Sequence, residues 1–449
     1  MDIKNNGRKP GYPNHLPARK AWRVKMWGGL GSQGAAPILI GVALIFLVIT
    51  NLNWEFILQP RMSFVQRNGT HFVVDRKTFY VNGWNSYWLM AHGVDFTARS
   101  AVKSVFKHGT AMGLSVCRTW AFYDGEDGLQ TKAGFYSEDV FRSLDYAIVE
   151  ARRHGVRLLL SLVNNLPAYG GKGQYVEWAR NAGVDIGSSN DSFFSDSTVR
   201  QYFKHYLKTI ITRVNSFSGV AYRDEPAIFA WELINEPRCQ SDSSGDTLEA
   251  WIEEMAAYVK LLDKNHLITV GLEGFYGLST PGKLVENPGD WAKDLGSDFI
   301  RHSKTGLIDF ASVHVYPDMW LPNLSNVDKK NFTSRWLASH IEDAEVVLRK
   351  PVLFTEFGVS EKAQKFNAKQ RVEITEILYE KIYEAAKARG AGAGALLWQV
   401  SVEGVDRFHD EFTTIPWQEP QLYKTILQQS CRLYNISDYK PIHPICTIH

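Results

Sequence analysis

Two glutamates that lie near the ends of apolar, strand-like stretches are the residues of this sequence best suited to catalysis. Glu236 follows Asn235 in 231–237, WELINEP, and Glu356 lies in 351–358, PVLFTEFG. A carboxylate is costly to bury unless it is paired or takes part in chemistry. Two opposed carboxylates suit cleavage of a glycosidic bond, because one can protonate the leaving oxygen while the other attacks or activates water. The pair therefore predicts a glycoside-cleaving site, provided that the fold brings the two side chains together.

The elements that must position these glutamates alternate regularly from about residue 64 onward. Several of the stretches are almost continuously apolar, as expected for strands covered on both faces of a parallel sheet. The predicted strands are 79–86, 114–121, 156–164, 228–236, 267–274, 308–316, 351–358 and 394–401. The predicted helices are 100–112, 139–154, 198–215, 247–263, 332–349, 368–389 and 418–434. This alternation predicts a single (β/α)8 TIM barrel with an insertion at about 165–197. A doubly wound open sheet is the alternative, but no G-x-G-x-x-G fingerprint follows the first strand.

Polar and aromatic residues gather at the carboxyl ends of the predicted strands, where a (β/α)8 barrel carries its active site. These residues are Asn85, Tyr87, Trp88, Arg118, Trp120, Asn164, Asn165, Asn235, Glu236, Glu273, His314, Tyr316, Glu356, Trp398 and Gln399. The fourth and seventh strands of such a barrel lie roughly opposite one another. We therefore expect Glu236 and Glu356 to face each other across the central cleft.

Several motifs resemble those of glycoside hydrolase family 5. The general ones are WELINEP, HVYPD, LFTEFG and LLWQ. More specific are NSYWL at 85–89, RTWAFYDG at 118–125 and GGKGQYVEWA at 170–179, which are similar to motifs of plant endo-β-1,4-mannanases. The resemblance covers about residues 64–434. It implies endo-acting hydrolysis of β-1,4-mannosidic linkages in cell-wall mannan, glucomannan and galactomannan.

The resemblance also implies roles for the two glutamates and their neighbours. Glu236 is expected to be the general acid/base, and Glu356 the nucleophile of a retaining double displacement. Asn235 is expected to hold the 2-hydroxyl of the sugar at the cleavage point. Arg118 is expected to hydrogen-bond Glu356 and to lower its pKa, because a nearby cation favours the carboxylate. Tyr316 is expected to bond the same carboxylate.

The remaining predicted substrate-binding residues are aromatic rings and one histidine. His314 is expected to orient the acid/base, and Trp398 to be the floor on which a sugar stacks. Trp88 and Trp120 either line sugar subsites or pack under loops. Glu273 also ends a strand, but the resemblance attaches no role to it, so we expect a structural or rim residue.

Alternative functions on the same barrel are a β-1,4-glucanase, a mannan transglycosylase and a non-catalytic carbohydrate-binding protein. The last is disfavoured, because a lectin has no need of both glutamates. The expected partner is a mannan-type polysaccharide. A net charge of +2 gives no reason to expect a nucleic acid. No C-x-x-C pair exists, and we expect neither a metal nor a cofactor.

The first 54 residues read as a targeting segment. Residues 1–25 form a basic region, and 26–54, which contain no charged residue, read as a hydrophobic signal peptide or signal anchor. The expected catalytic domain is 64–434, and the expected C-terminal tail is 435–449. This organisation predicts the secretory pathway, with either secretion to the extracellular space or cell wall, or type II anchoring in the Golgi membrane.

Two further features agree with a secretory route. Five N-x-S/T sequons, at Asn68, Asn190, Asn323, Asn331 and Asn435, predict a glycoprotein. The four cysteines allow three full pairings. A disulfide between Cys431 and Cys446 is the simplest of the possible links, and Cys117, in an apolar stretch, reads as a buried free thiol.

Overall fold

All eight predicted strands are present and run parallel in one sheet. The computed structural model describes residues 59–363, 367–440 and 446. The strands are β1 (Val65–Asn68), β2 (His71–Val74), β3 (Lys77–Phe79), β4 (Val81–Asn85), β5 (Val116–Trp120), β6 (Gln130–Lys132), β7 (Phe135–Tyr136), β8 (Arg157–Ser161), β9 (Ile228–Asn235), β10 (Leu267–Gly271), β11 (Ala311–Val315), β12 (Val352–Phe357) and β13 (Gly392–Leu397). The eight-stranded sheet has the order β10-β9-β8-β5-β4-β13-β12-β11.

The ring closes between the two end strands of this order, β10 and β11. Backbone hydrogen bonds from Asp309 to Ile268 (2.8 Å) and from His314 to Glu273 (3.1 Å) join them. The sheet is therefore a (β/α)8 barrel, as predicted, and the open doubly wound sheet is excluded. In this barrel β9 is the fourth strand and β12 the seventh.

Helices surround the barrel, because their apolar stripes pack on the outer face of the sheet. They are α1 (Leu89–His92), α2 (Arg99–Ala111), α3 (Glu138–Arg153), α4 (Gly171–Asn181), α5 (Ser192–Ser195), α6 (Ser197–Thr212), α7 (Asp246–Leu262), α8 (Phe299–Lys304), α9 (Pro317–Trp320), α10 (Asn326–Asp343), α11 (Ala368–Lys387) and α12 (Pro420–Ile436). α4 and α5 lie in the predicted insertion.

The helix predicted at 332–349 begins six residues too late. Ser325 caps the helix by accepting a hydrogen bond from the Asp328 amide (3.2 Å), and α10 starts at Asn326. The first turn is polar, so its start is marked by the cap and not by apolar periodicity. At the other end of the element, residues 344–348 form a π-helical turn.

A small antiparallel sheet, which was not predicted, covers the amino-terminal end of the barrel. β1, β2 and β3 form this sheet. Phe72 contacts Phe229 and Phe310 edge to face, with ring centroids 5.1 and 5.2 Å apart. The end of the barrel opposite the predicted site is thus filled by apolar side chains.

The predicted disulfide between Cys431 and Cys446 is confirmed, and Cys117 is a buried free thiol as expected. The basic region 1–25 and the hydrophobic segment 26–54 lie outside the described residues. Within the described part of the chain, no helix is long and apolar enough to span a bilayer.

Candidate active site

Glu236 and Glu356 meet at the carboxyl end of the barrel. Glu236 directly follows β9, and Glu356 is the penultimate residue of β12. One carboxyl oxygen of each lies within 4.8 Å of the other. His314 stands between them, with its Nδ1 atom 2.8 Å from Glu236 Oε1 and 3.5 Å from Glu356 Oε2. The structure thus brings together the two glutamates that the sequence singled out.

The backbone at Glu236 is strained. Its φ of +49° lies in the left-handed region, which costs a residue with a side chain about 1–3 kcal/mol. The Glu236 amide donates to the Gly271 carbonyl (2.8 Å), so neighbouring β10 holds this conformation. Pro237 then ends the strand. The chain therefore bends at Glu236, between Asn235 and Pro237, where the strand ends.

Both oxygens of Glu356 accept strong hydrogen bonds. Arg118 Nη1 donates to Oε1 (2.5 Å), and the Tyr316 hydroxyl donates to Oε2 (2.6 Å). Burial raises the pKa of Glu356 above its usual value, although His314, Arg118 and Tyr316 oppose the rise. Arg118 was expected to lower this pKa; it acts in that direction, but burial outweighs it. Burial also raises the pKa of Tyr316 well above 10, so its hydroxyl stays a donor.

Glu236 has fewer donors. His314 Nδ1 is the one side-chain partner within hydrogen-bonding distance among the described residues. Burial raises the pKa of Glu236, opposed by the charges of Arg238 and Arg118. An acid with a raised pKa and few donors is poised to hold and release a proton.

Arg118 is fully buried beneath the pair and connects several side chains. Besides Glu356 it donates to Asn85 Oδ1 (3.1 Å), Asn235 Oδ1 (2.7 Å) and both oxygens of Glu232. Burial disfavours its charge, but the two carboxylates more than offset this and raise the pKa of Arg118. Asn235 is also held from its other end, because its Nδ2 donates to Asn164 Oδ1 (3.1 Å).

An aromatic wall borders the glutamates on the β13 side. Trp398 directly follows β13, and its Nε1 donates to Asp410 Oδ2 (2.9 Å). The ring of Tyr87 is parallel to that of Trp398 within 6°, with centroids 5.7 Å apart, and Trp120 lies 6.2 Å from Trp398. Such faces can stack on the C–H surface of a sugar.

The opposite side of the cleft contains an ion pair and further aromatic rings. Arg238 donates to both oxygens of Glu273, at 2.7 and 2.6 Å. Burial and the nearby Glu236 raise the pKa of Glu273 to about 7. Trp291, with 43% of its surface exposed, packs edge to face on Phe275. Glu273 was expected to be a structural or rim residue, and it lies in the cleft wall. Arg238 and Trp291 line the cleft but were not predicted as site residues. For Arg238, its position two residues after Glu236 was the available signal.

The cleft between these two sides has a volume of about 820 Å³. Six predicted site residues line it: Trp120, Asn235, Glu236, Tyr316, Glu356 and Trp398. Arg118 and His314 lie directly beneath and bind the glutamates. Trp88 does not reach the cleft. It is fully buried and packs edge to face on His92. Of the two alternatives for Trp88, this position favours packing under a loop over contact with a sugar.

One group of side chains has the spacing of a metal site. Glu236, His314 and Glu356 are the one such cluster among the described residues. Arg118 and Tyr316 already donate to both oxygens of Glu356, and the Arg118 guanidinium places a positive charge next to the cluster. The arrangement therefore suits acid–base chemistry better than cation binding.

Comparisons with known proteins agree with this geometry. A family model described as glycoside hydrolase family 5 β-mannosidase-like matches residues 62–419. Mannan endo-1,4-beta-mannosidase 2 of Arabidopsis thaliana is 52% identical over 397 residues, which are 88% of this chain and 92% of that protein. The rice (Oryza sativa subsp. japonica) protein of the same name is 52% identical over 375 residues, 83% of this chain and 84% of its own.

Among solved structures, the endo-beta-1,4-mannanase of Thermotoga petrophila superposes with a TM-score of 0.69 at 30% identity. The superposition covers 79% of this chain and 77% of that chain. The endo-1,4-beta-mannanase of Rhizomucor miehei gives a TM-score of 0.68 at 28% identity, covering 83% and 100%.

Proposed function

This chain belongs to the β-mannosidase-like branch of glycoside hydrolase family 5, and we propose that it is an endo-β-1,4-mannanase. It hydrolyses internal β-1,4-mannosidic bonds of mannan, glucomannan and galactomannan. The observation that carries the proposal is the pair of carboxyl groups, Glu236 and Glu356, with oxygens within 4.8 Å in a cleft of about 820 Å³. The curated plant relatives, named as mannan endo-1,4-beta-mannosidases, supply the substrate.

The spacing of the two carboxyl groups supports retention of anomeric configuration. Retaining glycosidases place these groups about 5–5.5 Å apart, whereas inverting enzymes need about 6.5–9.5 Å to admit a water between them. The nearest oxygens of Glu236 and Glu356 lie within 4.8 Å, which favours the closer spacing of a retaining enzyme. Their roles cannot be assigned from pKa alone, because burial raises both.

Hydrogen bonding separates the two roles. Glu356 accepts from a guanidinium and a phenol, which favour the anion, so we assign it as the nucleophile. Glu236 has a hydrogen bond to His314 alone among the described side chains, so we assign it as the general acid/base. The oriented anion and the proton donor then match the two groups that a double displacement requires.

The reaction proceeds in two steps. In the first, Glu356 attacks the anomeric carbon while Glu236 protonates the leaving oxygen, which departs with the rest of the chain. In the second, Glu236 takes a proton from water, and the resulting oxygen displaces Glu356 from the anomeric carbon. Asn235, held at both ends, binds the 2-hydroxyl of the sugar at the cleavage point.

This mechanism fixes the direction in which the polysaccharide lies in the cleft. Because Glu236 protonates the leaving oxygen, the leaving part of the polysaccharide lies on its side, along Arg238, Glu273 and Trp291. The sugar that becomes bound to Glu356 lies over Trp398 on the opposite side. Ligand pockets of drug-sized molecules measure about 300–1,000 Å³. A cleft of about 820 Å³ therefore has room for several sugar units, as an endo-acting enzyme needs.

We also propose that the enzyme enters the secretory pathway. Disulfides persist in oxidising compartments, and the Cys431–Cys446 link is of this kind. The asparagines of all five sequons are exposed. Whether the hydrophobic segment 26–54 is cleaved or anchors the enzyme decides between secretion and membrane attachment, and N-terminal sequencing of the mature protein distinguishes the two.

The chain contains a matched control for tests of Glu356. Asp145 is a second buried carboxylate that accepts from an arginine (Arg213 Nη2, 2.7 Å) and from a tyrosine (Tyr222 hydroxyl, 2.6 Å). None of these three residues lines the cleft. Asp145→Asn therefore perturbs a chemically similar cluster away from the site.

The test compares the full chain with Glu356→Gln and Asp145→Asn on mannan, glucomannan and cellulose. Solution viscosity and new reducing ends are followed together, and NMR identifies the first-formed anomer. We expect rapid loss of mannan viscosity with a β product for the wild type and Asp145→Asn, and no activity for Glu356→Gln. A wild type inactive on mannan would refute the mannanase, and an active Glu356→Gln would refute the assigned nucleophile.

A further inference from the structure

One carboxylate beneath the site has no role in the two-step reaction. Glu232 lies on β9, three residues before Asn235, and its side chain is fully buried. It does not line the cleft, so it cannot touch the substrate. Its two oxygens accept from one residue, Arg118: Nε donates at 3.0 and 3.2 Å, and Nη2 donates at 2.6 Å.

This contact fixes the plane of the guanidinium. A carboxylate bound to two nitrogens of arginine leaves it one orientation, unlike a single hydrogen bond. In that orientation Nη1 points at Glu356 and Nη2 at Asn235. The geometry of both the nucleophile Glu356 and the sugar-binding Asn235 therefore depends on Glu232, which is joined to them only through Arg118 among the described side chains.

The neighbouring strand leaves room for the Glu232 carboxylate. On β10, a Cβ atom at Gly271 would lie 2.8 Å from Glu232 Cδ and 2.9 Å from its Oε1. Any larger residue there would displace the carboxylate or the backbone. The absence of a side chain at Gly271 thus lets Glu232 reach Arg118 in its observed position.

Charge adds a second effect to this geometry. Arg118 lies between two carboxylates. The negative charge of Glu232 therefore offsets part of the positive potential that Arg118 exerts on Glu356. Without the charge of Glu232, the Arg118 guanidinium would stabilise the Glu356 anion more strongly. A more stable carboxylate is a weaker nucleophile and titrates at lower pH.

We propose that Glu232 is a positioning residue that orients Arg118 against the nucleophile Glu356 and moderates the charge that Glu356 experiences. The proposal rests on the mannanase function assigned above. Glu232 acts through Arg118 and does not contact the sugar. Its removal should alter the first chemical step and its pH dependence. Substrate binding should change little, because Asn164 still holds Asn235 from its other end.

The decisive variant is Glu232→Gln, which keeps the size of the side chain but removes its charge and one acceptor. We expect the acid limb of kcat/KM to move about one pH unit lower. We also expect kcat to fall about 10- to 100-fold, as for a misplaced reacting group, with KM unchanged within about threefold. A 2,4-dinitrophenyl β-mannobioside needs no proton from Glu236, so the loss should persist on this substrate.

Two variants separate positioning from general destabilisation. Asp145→Asn removes the charge of another buried, arginine-bound carboxylate, and should lower the thermal unfolding midpoint while keeping the wild-type pH profile. Glu232→Asp keeps the charge but shortens the reach by one methylene. It should keep the acid limb in place while lowering kcat, and it decides the question if Glu232→Gln does not fold.

The outcomes distinguish this inference from the mannanase assignment. A wild type inactive on mannan and on the aryl mannobioside would overturn the assigned function. An active wild type with a Glu232→Gln variant of unchanged rate and pH profile would overturn the positioning role alone. So would a rate loss that disappears on the aryl substrate, because the defect would then lie in proton donation, or a Glu232→Asp variant with an unchanged kcat.

Discussion

Replacing Tyr316 by Phe removes one of the two strong donors to the nucleophile. The hydroxyl donates to Glu356 Oε2 at 2.6 Å, and it stays protonated because burial raises the pKa of Tyr316. Phe keeps the ring and its edge-to-face contact with Phe412, whose centroid is 5.0 Å away. The perturbation is therefore confined to one hydrogen bond on a carboxylate that must be ionised to attack.

The size of the effect follows from the energy of that bond. A hydrogen bond to a charged group contributes about 1.5–3 kcal/mol, and one pKa unit corresponds to about 1.4 kcal/mol. The pKa of Glu356 should therefore rise by about 1–2 units. Water can reach the vacated oxygen, because Glu356 borders the cleft, so we expect the lower end, about one unit.

The direction of the shift in the pH profile is set by the protonation state of Glu356 that reacts. Since the ionised carboxylate attacks, a higher pKa moves the acid limb of kcat/KM to higher pH. About one unit below the wild-type limb, the variant should be about tenfold slower than the wild type for this reason alone. Near the top of the profile the difference should be smaller.

The assay is kcat/KM for mannohexaose hydrolysis from pH 3 to 8, with reducing ends as the readout. Tyr222→Phe is the matched control, because the Tyr222 hydroxyl donates to the buried Asp145 carboxylate at the same distance, 2.6 Å, away from the cleft. An acid limb that stays in place or moves to lower pH in Tyr316→Phe would contradict the reasoning. So would an equal shift in Tyr222→Phe.

Three further predictions concern other parts of the site and the fold. Glu236→Ala should slow mannan hydrolysis by about 10²- to 10⁴-fold but affect formation of the glycosyl-enzyme from a dinitrophenyl mannobioside much less; equal losses in pre-steady-state rates would argue against the acid role. Trp291→Ala should lower kcat/KM on mannohexaose about two- to tenfold, the range of one aromatic contact, and leave the aryl mannobioside unaffected, because Trp291 lies on the leaving-group side. Cys446→Ser opens a link with a sequence separation of 15, so urea unfolding should show a stability loss of about 3 kcal/mol with unchanged activity; an unchanged midpoint would refute the stabilising role of the disulfide.

The barrel and its catalytic pair were predictable from local sequence. Each barrel strand is a short, nearly continuous apolar stretch, because both faces of a parallel barrel are covered. The residues at the ends of these stretches share one rim in any (β/α)8 barrel. Knowing that Glu236 and Glu356 end the fourth and seventh strands was therefore enough to place them opposite each other.

Which of two adjacent rings packs against Trp398 was not predictable in the same way. Tyr87 and Trp88 are adjacent and both follow β4, yet Tyr87 packs parallel to Trp398 while Trp88 is fully buried against His92. The path of the chain after β4 turns Tyr87 toward Trp398 and Trp88 toward His92. The Tyr87 hydroxyl donates to the carbonyl of Phe408 (2.8 Å), a residue more than 300 positions away, and this contact holds the ring in place.

The sequence alone determined the strand–helix alternation and the two acids at the strand ends, because these depend on patterns a few residues long. Only the tertiary structure decided that Arg118 is shared by Glu232 and Glu356, residues 114 and 238 positions away. It likewise brought Arg238 to Glu273 across two neighbouring strands. A charged side chain is buried only where partners from distant segments surround it, and no local pattern records which partners those are.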